Sequence, residues 1–327
     1  MDTLAHLRLF LQVAELGSFT AAAEQSGLTR AGASAAIAQL ERQLGTRLLH
    51  RTTRRVSLTQ DGLVARERAA DLLADADELQ ALFQAQPAQL RGRLRVDLPV
   101  GTARVHVMPK LPAFLAEHPG LSLELSCTDR RVDPVREGFD CVLRIGPLSD
   151  SSLVARPLGH LPLINAASPA YLARHGHPRT LADLRAPADP AAPGGGHRLV
   201  HYAPTLGARA DAFEVAHPDG RVERIELPGA LTVNNTEAYL QAALAGLGLV
   251  QLPGAGVLDA LADGRLVRVL PGLEPAPMAV TLLVPHRRQM PRRVRVFMDW
   301  LAGLLAPHLL PVAGAPPTGG PRPARDE

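Results

Sequence analysis

The sequence predicts an α/β protein in three parts: a small helical N-terminal region, one long helix, and a larger C-terminal region built on two small sheets. Three observations carry this reading. Apolar residues recur at intervals of three and four through residues 1–60, a heptad-spaced run follows over 65–83, and from Arg93 onward strands alternate with helices. The first two patterns mark amphipathic helices, and the third marks largely parallel sheets flanked by helices.

Bulk properties agree. A chain of 327 residues suits two or three domains, and 46% hydrophobic with 20% charged residues is a globular balance. No uncharged apolar run reaches the roughly 18–20 residues that span a bilayer. The N-terminus, MDTLAHLRLFLQVAELG, carries Asp2, Arg8 and Glu15 and lacks a signal-peptide cleavage pattern. A cytoplasmic protein with no membrane partner is expected. Net charge is only +3, so a polyanion would have to be held by a local patch. Cys127 and Cys141 match no zinc pattern, which leaves buried free thiols or a redox pair.

The first helix places Leu4, Leu7, Leu11 and Ala14 on one stripe. Ser18 is set to cap a second helix, Gly27 to end it in a left-handed conformation, and Thr29 to cap a third. In that third helix Ala33, Ile37, Leu40 and Leu44 step by 4, 3 and 4 and form a buried stripe. Ala31, Ala35, Ala38 and Arg42 stand opposite, with Arg30 and Ser34 flanking the N-terminal end. Small residues on an exposed face allow close approach, and a helix-turn-helix presents the start of its second helix to base edges in the major groove. The amides there also favour phosphate. Arg47, Arg51, Arg54 and Arg55 follow within nine residues, with no acid among them. TRRVSLT alternates as a small hairpin would, forming a wing whose arginines reach phosphates or a narrow minor groove.

Ala65, Ala69, Leu72, Ala76, Leu79 and Phe83 then step by 4, 3, 4, 3 and 4, and Pro87 ends the helix. Such a seam calls for a second copy of the chain, and the alternative is packing on its own domain. Beyond it RLRVDLP, LSLELSCT, CVLRIG and PLINAA read as strands, whereas SPAYLARHG and TEAYLQAALAGLG read as helices. Residues 186–198 read as a Pro/Gly-rich loop and residues 311–327 as a disordered tail.

Taken together, FLQVAELGSFTAAAEQSGLT, SAAIAQLERQLGTRLLHRTTRRVSLTQDG and the RGRLRV opening of the last region resemble the LysR-type transcriptional regulators. EGFDCVLRIGPLSDSSLVARPLG and ASPAYLARHG resemble one subgroup of them. The resemblance implies a winged helix-turn-helix DNA-binding domain (1–60), a linker and dimerisation helix (61–90) and an effector-binding domain (91–310). That last domain would be two-lobed, resembling type 2 periplasmic binding proteins. Lobe I would cover about 91–161 and 267–310, and lobe II about 162–266. It implies double-stranded promoter DNA as a partner, self-association into homodimers and homotetramers, a small organic and possibly anionic effector, and RNA polymerase at the promoter. Family DNA contacts match Thr29, Arg30, Ala31, Ser34 and Ala35 in the recognition helix and Arg54 and Arg55 in the wing. The family commonly carries Gln and Pro where Arg30 and Ala31 stand, and Arg where Ala35 stands. Alanine offers a thymine only its methyl group, so a shifted operator preference is expected.

In open α/β sheets ligands lie beyond the carboxyl ends of strands. That rule selects Val100, Gly101, Thr102 and Ala103, then Thr128 and Asp129, then Arg144 and Ile145. Tyr202, Asn234, Asn235 and Thr236 would lie across the cleft. Arg144 would either reinforce an anion or pair with Asp129 or Asp140. No G-x-S-x-G or H-E-x-x-H occurs, and HGH (175–177) and HRLVH (197–201) read as surface histidines rather than a metal site. No catalytic residue, metal or cofactor is expected.

Overall fold

The computed structural model describes residues 3–51, 56–81, 90–148, 153–185, 196–207, 212–285 and 290–311. The chain opens with α1 (Thr3–Leu16), α2 (Phe19–Gln25) and α3 (Arg30–Leu44). Ser18 Oγ accepts a hydrogen bond from Ala21 N at 3.3 Å, and Thr29 Oγ1 accepts from Gly32 N at 3.0 Å. Both are N-caps that satisfy amides left over at a helix start. Gly27 links the two helices at φ +66°, where a side chain would be strained. A two-stranded antiparallel hairpin follows, β1 (Leu49–Arg51) and β2 (Val56–Leu58), with Arg51 opposite Val56. Glu41 Oε1 accepts from Leu48 N and Leu49 N at 2.9 and 3.2 Å, which ties the hairpin to α3. The long helix α4 (Gln60–Ala81) begins directly after.

One core joins these elements: Leu7, Phe10 and Val13 of α1, Ala22 and Ala23 of α2, and Ala33, Ala36, Ile37 and Leu40 of α3. Leu48 and Leu49 at the hairpin and Ala69 and Leu73 of α4 complete it. One expectation is corrected here, at Leu44. The fully buried face of α1 centres on Phe10, with Leu4 and Leu11 only partly covered, because α1 packs against α2, α3 and α4 together. Leu44 is 51% exposed, since α3 ends there and the chain turns at Gly45. Ala36 joins the buried set instead. The heptad seam of α4 also divides. Ala65 and Ala69 pack on the N-terminal core, whereas Leu72 and Leu79 are 55% and 57% exposed. Phe83 lies outside the described residues. The start of α4 presses close to the hairpin: a Cβ on Gly62 would stand 2.0 Å from the Leu48 carbonyl oxygen, so only glycine fits.

The C-terminal region begins with β3 (Arg91–Leu98), the short α5 (Val100–Thr102) and a π-turn over Ala103–Val107. Then come α6 (Leu111–Glu117), β4 (Gly120–Cys127), α7 (Pro134–Glu137), β5 (Cys141–Ile145) and β6 (Val154–Leu161). Pro162 alone separates β6 from β7 (Leu163–Ala167). A second run follows: α8 (Pro169–His175), α9 (Leu181–Arg185), β8 (His201–Tyr202), β9 (Phe213–Ala216), β10 (Val222–Ile225) and β11 (Thr232–Val233). It ends with α10 (Thr236–Leu244), β12 (Val250–Pro253), α11 (Leu258–Ala262) and β13 (Val267–Arg268). The chain finishes on β14 (Met278–Val284) and α12 (Arg292–Leu305).

Two main sheets result. The first has the order β4-β3-β5-β14-β6 and the second β12-β7-β13. They are mixed rather than parallel as expected. β3 and β5 are parallel, but β14 runs antiparallel to β5 and β6, and β7 antiparallel to β12 and β13. The reason is the double crossing: the chain leaves the first sheet along β6 and returns along β14 in the opposite sense. Of the two cysteines, Cys141 is buried, and its thiol is pushed up by desolvation, whereas Cys127 is exposed rather than buried. Both are free thiols.

By chain contacts the molecule divides into two compact units. One is built from the described residues of 1–94, 115–123 and 290–293, and the other from those of 95–114, 124–289 and 294–327. Within the first, the side chain of Arg293, only 4% exposed, donates to Asp75 of α4 at 2.7 Å and to the Arg93 carbonyl at 2.9 Å. Arg93 in turn pairs with Glu67 and Asp71.

Candidate DNA interface and effector cleft

Helix α3 turns one face inward and leaves the other to solvent. Ala33, Ile37 and Leu40 are at most 1% exposed, while Thr29, Arg30, Ala31 and Ala35 are exposed and Ser34 is half-buried. Gly32, Ala31 and Ala35 add almost no bulk, so the start of this helix can approach another surface closely. Arg42 and Arg47 are also exposed. Arg54 and Arg55 lie outside the described residues. Thr29→Ala should cost about 1 kcal/mol through loss of the cap on Gly32 N, and Thr29→Ser should restore it. Thermal unfolding of the two variants checks this.

A cavity of about 70 Å³, open to solvent, lies in the second unit. Of the residues expected there, Gly101, Thr102, Ile145 and Thr236 line it. The others take different positions. Asp129 Oδ1 accepts from Val100 N at 3.0 Å, and its Oδ2 accepts from Thr236 N and Thr236 Oγ1 at 2.5 and 2.9 Å. One carboxylate thus joins the segment after β3 to the start of α10. Thr128 Oγ1 accepts from Arg130 N at 3.2 Å. Ala103 is buried at the π-turn, and Tyr202 packs against Tyr239 with ring centroids 5.6 Å apart. Asn234 is exposed, and Asn235 caps α10 through a bond from Ala238 N.

Arg144 pairs with neither Asp129 nor Asp140. Its Nη1 meets Asp97 Oδ2 at 3.1 Å, with Asp97 completely buried and the arginine side chain 13% exposed. Successive residues of a strand face opposite sides. Leu143 and Ile145 therefore line the cavity while Arg144 between them does not. Burial holds the Asp97 carboxyl above the usual carboxylate range, against the lowering pull of Ser126 and Arg144.

Sequence reasoning missed most of the cavity wall. Leu161, Leu252, Val257 and Val280 contribute apolar surface. His106 and His308 face one another there with ring centroids 4.3 Å apart. Burial, and then the charge of His308, push the His106 pKa down, which keeps its ring neutral near pH 7. Arg104 and Glu237 at the wall form an ion pair at 3.0 Å.

A helix-turn-helix with an adjoining hairpin, a long helix and a mixed-sheet α/β region with a cleft define a class of DNA-binding transcriptional regulators. Residues 4–63 match the family described as bacterial regulatory helix-turn-helix protein, lysR family. Residues 87–306 match the LysR substrate binding domain. The chain belongs to the LysR family of transcriptional regulators; the matched families and named relatives are regulators, not enzymes. It is 46% identical over 309 residues to the uncharacterized HTH-type transcriptional regulator YhjC of Escherichia coli, covering 94% of this chain and 100% of that one. It is 34% identical over 328 residues to an HTH-type transcriptional repressor of Pseudomonas aeruginosa, covering 98% of each. Among solved structures it is similar to CrgA, a LysR-type transcriptional regulator from Neisseria meningitidis. That match has a TM-score of 0.56 at 29% identity and covers 92% of this chain and 98% of that one.

Proposed function

We propose that this regulator binds operator DNA as a homodimer, with α3 in the major groove and the hairpin against the backbone, and that a small effector in the cleft modulates binding. The observation that carries the reading is the division of α3: an inward stripe fixes its orientation while Thr29, Arg30, Ala31 and Ala35 face out at its N-terminal end. Ser34 contributes base contact and Arg54 and Arg55 phosphate contact, by match to the family. The exposed Leu72 and Leu79 of α4 supply the dimer contact, and pairs of dimers make a tetramer. The domain division follows the same logic: DNA-binding domain to residue 60, linker helix to about residue 90, and effector domain beyond.

Effector binding then changes the arrangement of the two sheets about the β6–β7 and β13–β14 crossings, and with it the spacing of the DNA-binding domains. A ligand does this only by binding one arrangement better than the other. Gel shifts with the chain's own upstream DNA over a salt series test the reading. Arg54→Ala should weaken binding to all sequences alike and lower the salt slope by about 1, whereas Ser34→Ala should cost about 1–3 kcal/mol on the operator only. Equal losses on operator and random DNA for Ser34→Ala would remove its assigned role. No shift of any duplex at low ionic strength would end the proposal.

A further inference from the structure

The cleft raises the question of what kind of molecule it takes. Backbone amides and hydroxyls at the ends of its segments suit a carboxylate, but here two of those amides and one hydroxyl already hold one. Asp129 takes the Val100 amide, the Thr236 amide and the Thr236 hydroxyl. Arg144, between the lining residues Leu143 and Ile145, belongs to Asp97 on the other face of β5. Arg104, the cation at the cavity wall, is neutralised by Glu237. What remains is mostly the apolar surface of Leu143, Ile145, Leu161, Leu252, Val257 and Val280, with the Thr102 hydroxyl and the imidazoles of His106 and His308 as uncharged hydrogen-bonding groups.

We infer that this cavity takes an uncharged small molecule, with an aromatic or aliphatic body against the leucine and valine wall and one polar group directed at the His106–His308 pair. An ionised carboxylate would lose its hydration on entering such a wall and, among the described residues that line it, would find no arginine without a carboxylate partner, a penalty that an uncharged body avoids. Asp129 adds repulsion, since its own charge stands where the anion would be held. A neutral imidazole both donates and accepts, so a hydroxyl, carbonyl or amide on the ligand can be matched. The inference rests on the proposed reading that this domain responds to a ligand, and it adds the ligand's chemical class.

Benzyl alcohol and benzoate share a ring and differ in charge. Calorimetric titration of the full-length protein with each should show benzyl alcohol binding at least tenfold more tightly. Asp129→Asn should improve benzoate binding at least fivefold by removing the opposing charge. Leu309→Trp, at the partly exposed part of the wall, should lower benzyl alcohol affinity at least tenfold. Benzoate binding as tightly as the alcohol, binding of neither, or insensitivity of benzoate to Asp129→Asn would overturn the inference. A gel shift run in parallel separates the two claims. If benzyl alcohol binds but leaves DNA binding and footprint unchanged, effector control fails and the ligand class stands. If benzoate alone changes the footprint, the ligand class fails and effector control stands.

Discussion

Ile37→Ala should destabilise the N-terminal domain by about 2–5 kcal/mol and remove sequence-specific DNA binding at growth temperature. Ile37 has no exposed surface and joins the shared core of α1, α2, α3, the hairpin and α4. Truncating it deletes apolar contact and leaves a cavity that the neighbouring Ala33 and Ala36 are too small to fill. The same side chain fixes the rotation of α3, so loosening it blurs which residues face the groove. Ala35→Arg, two residues away on the exposed face, should change stability by no more than about 0.5 kcal/mol and alter DNA affinity instead, because surface changes away from such features cost little. Circular dichroism melts beside gel shifts distinguish the pair. Full sequence-specific DNA binding retained in Ile37→Ala despite the loss of stability would show that this core residue does not position the helix.

Arg144→Ala should cost about 3–5 kcal/mol at neutral pH, because it strands the Asp97 carboxylate in the interior without its partner. The pH dependence has a definite sign. Burial raises the folded pKa of Asp97 above its ordinary 3.8, so the folded chain holds this proton more tightly than the unfolded chain. Such a group favours folding at low pH, and the advantage is lost as pH rises through the folded value. Removing Arg144 takes away a lowering influence and moves that window further up. The penalty of the substitution should therefore be smaller at about pH 5 than at about pH 8. Adding Asp97→Asn to the Arg144→Ala variant should recover part of the loss and flatten the profile. Denaturant titration at both pH values provides the check, and a penalty that grew on acidification would contradict the assignment.

The helix-turn-helix was legible because its signals are local. Ser18 and Thr29 act on amides three residues away, Gly27 turns the chain at its own position, and Ala33, Ile37 and Leu40 recur at the helical period. Leu44 obeys the same period yet lies exposed, because periodicity does not say where a helix leaves its partners. The heptad run was legible as a stripe, but its spacing does not say what covers each part of it. Spacing identifies an apolar stripe on α4, but α1 covers only its beginning.

The cleft was legible in part. A topological rule selected the segment after β3, the end of β5 and the start of α10, which is why Gly101, Thr102, Ile145 and Thr236 line the cavity. It could not pair Asp129 with Val100 and Thr236, which lie 29 and 107 residues away. Nor could it separate Arg144 from its neighbours Leu143 and Ile145, since that needs to be known from the sheet face each residue occupies. His106 and His308 meet across about two hundred residues, with no motif to join them.

By itself, the sequence determined the elements, their caps and turns, the outward face of α3 and the family to which the chain belongs. These depend on interactions within a few residues or on patterns carried along one helix or strand. Only the tertiary structure decided that β14 runs against its neighbours, that Asp97 holds Arg144, and that Asp129 takes the Val100 and Thr236 donors beside the cleft. Charge pairing in an interior is settled by distance in space and by burial, and neither quantity is fixed until distant segments have been brought together.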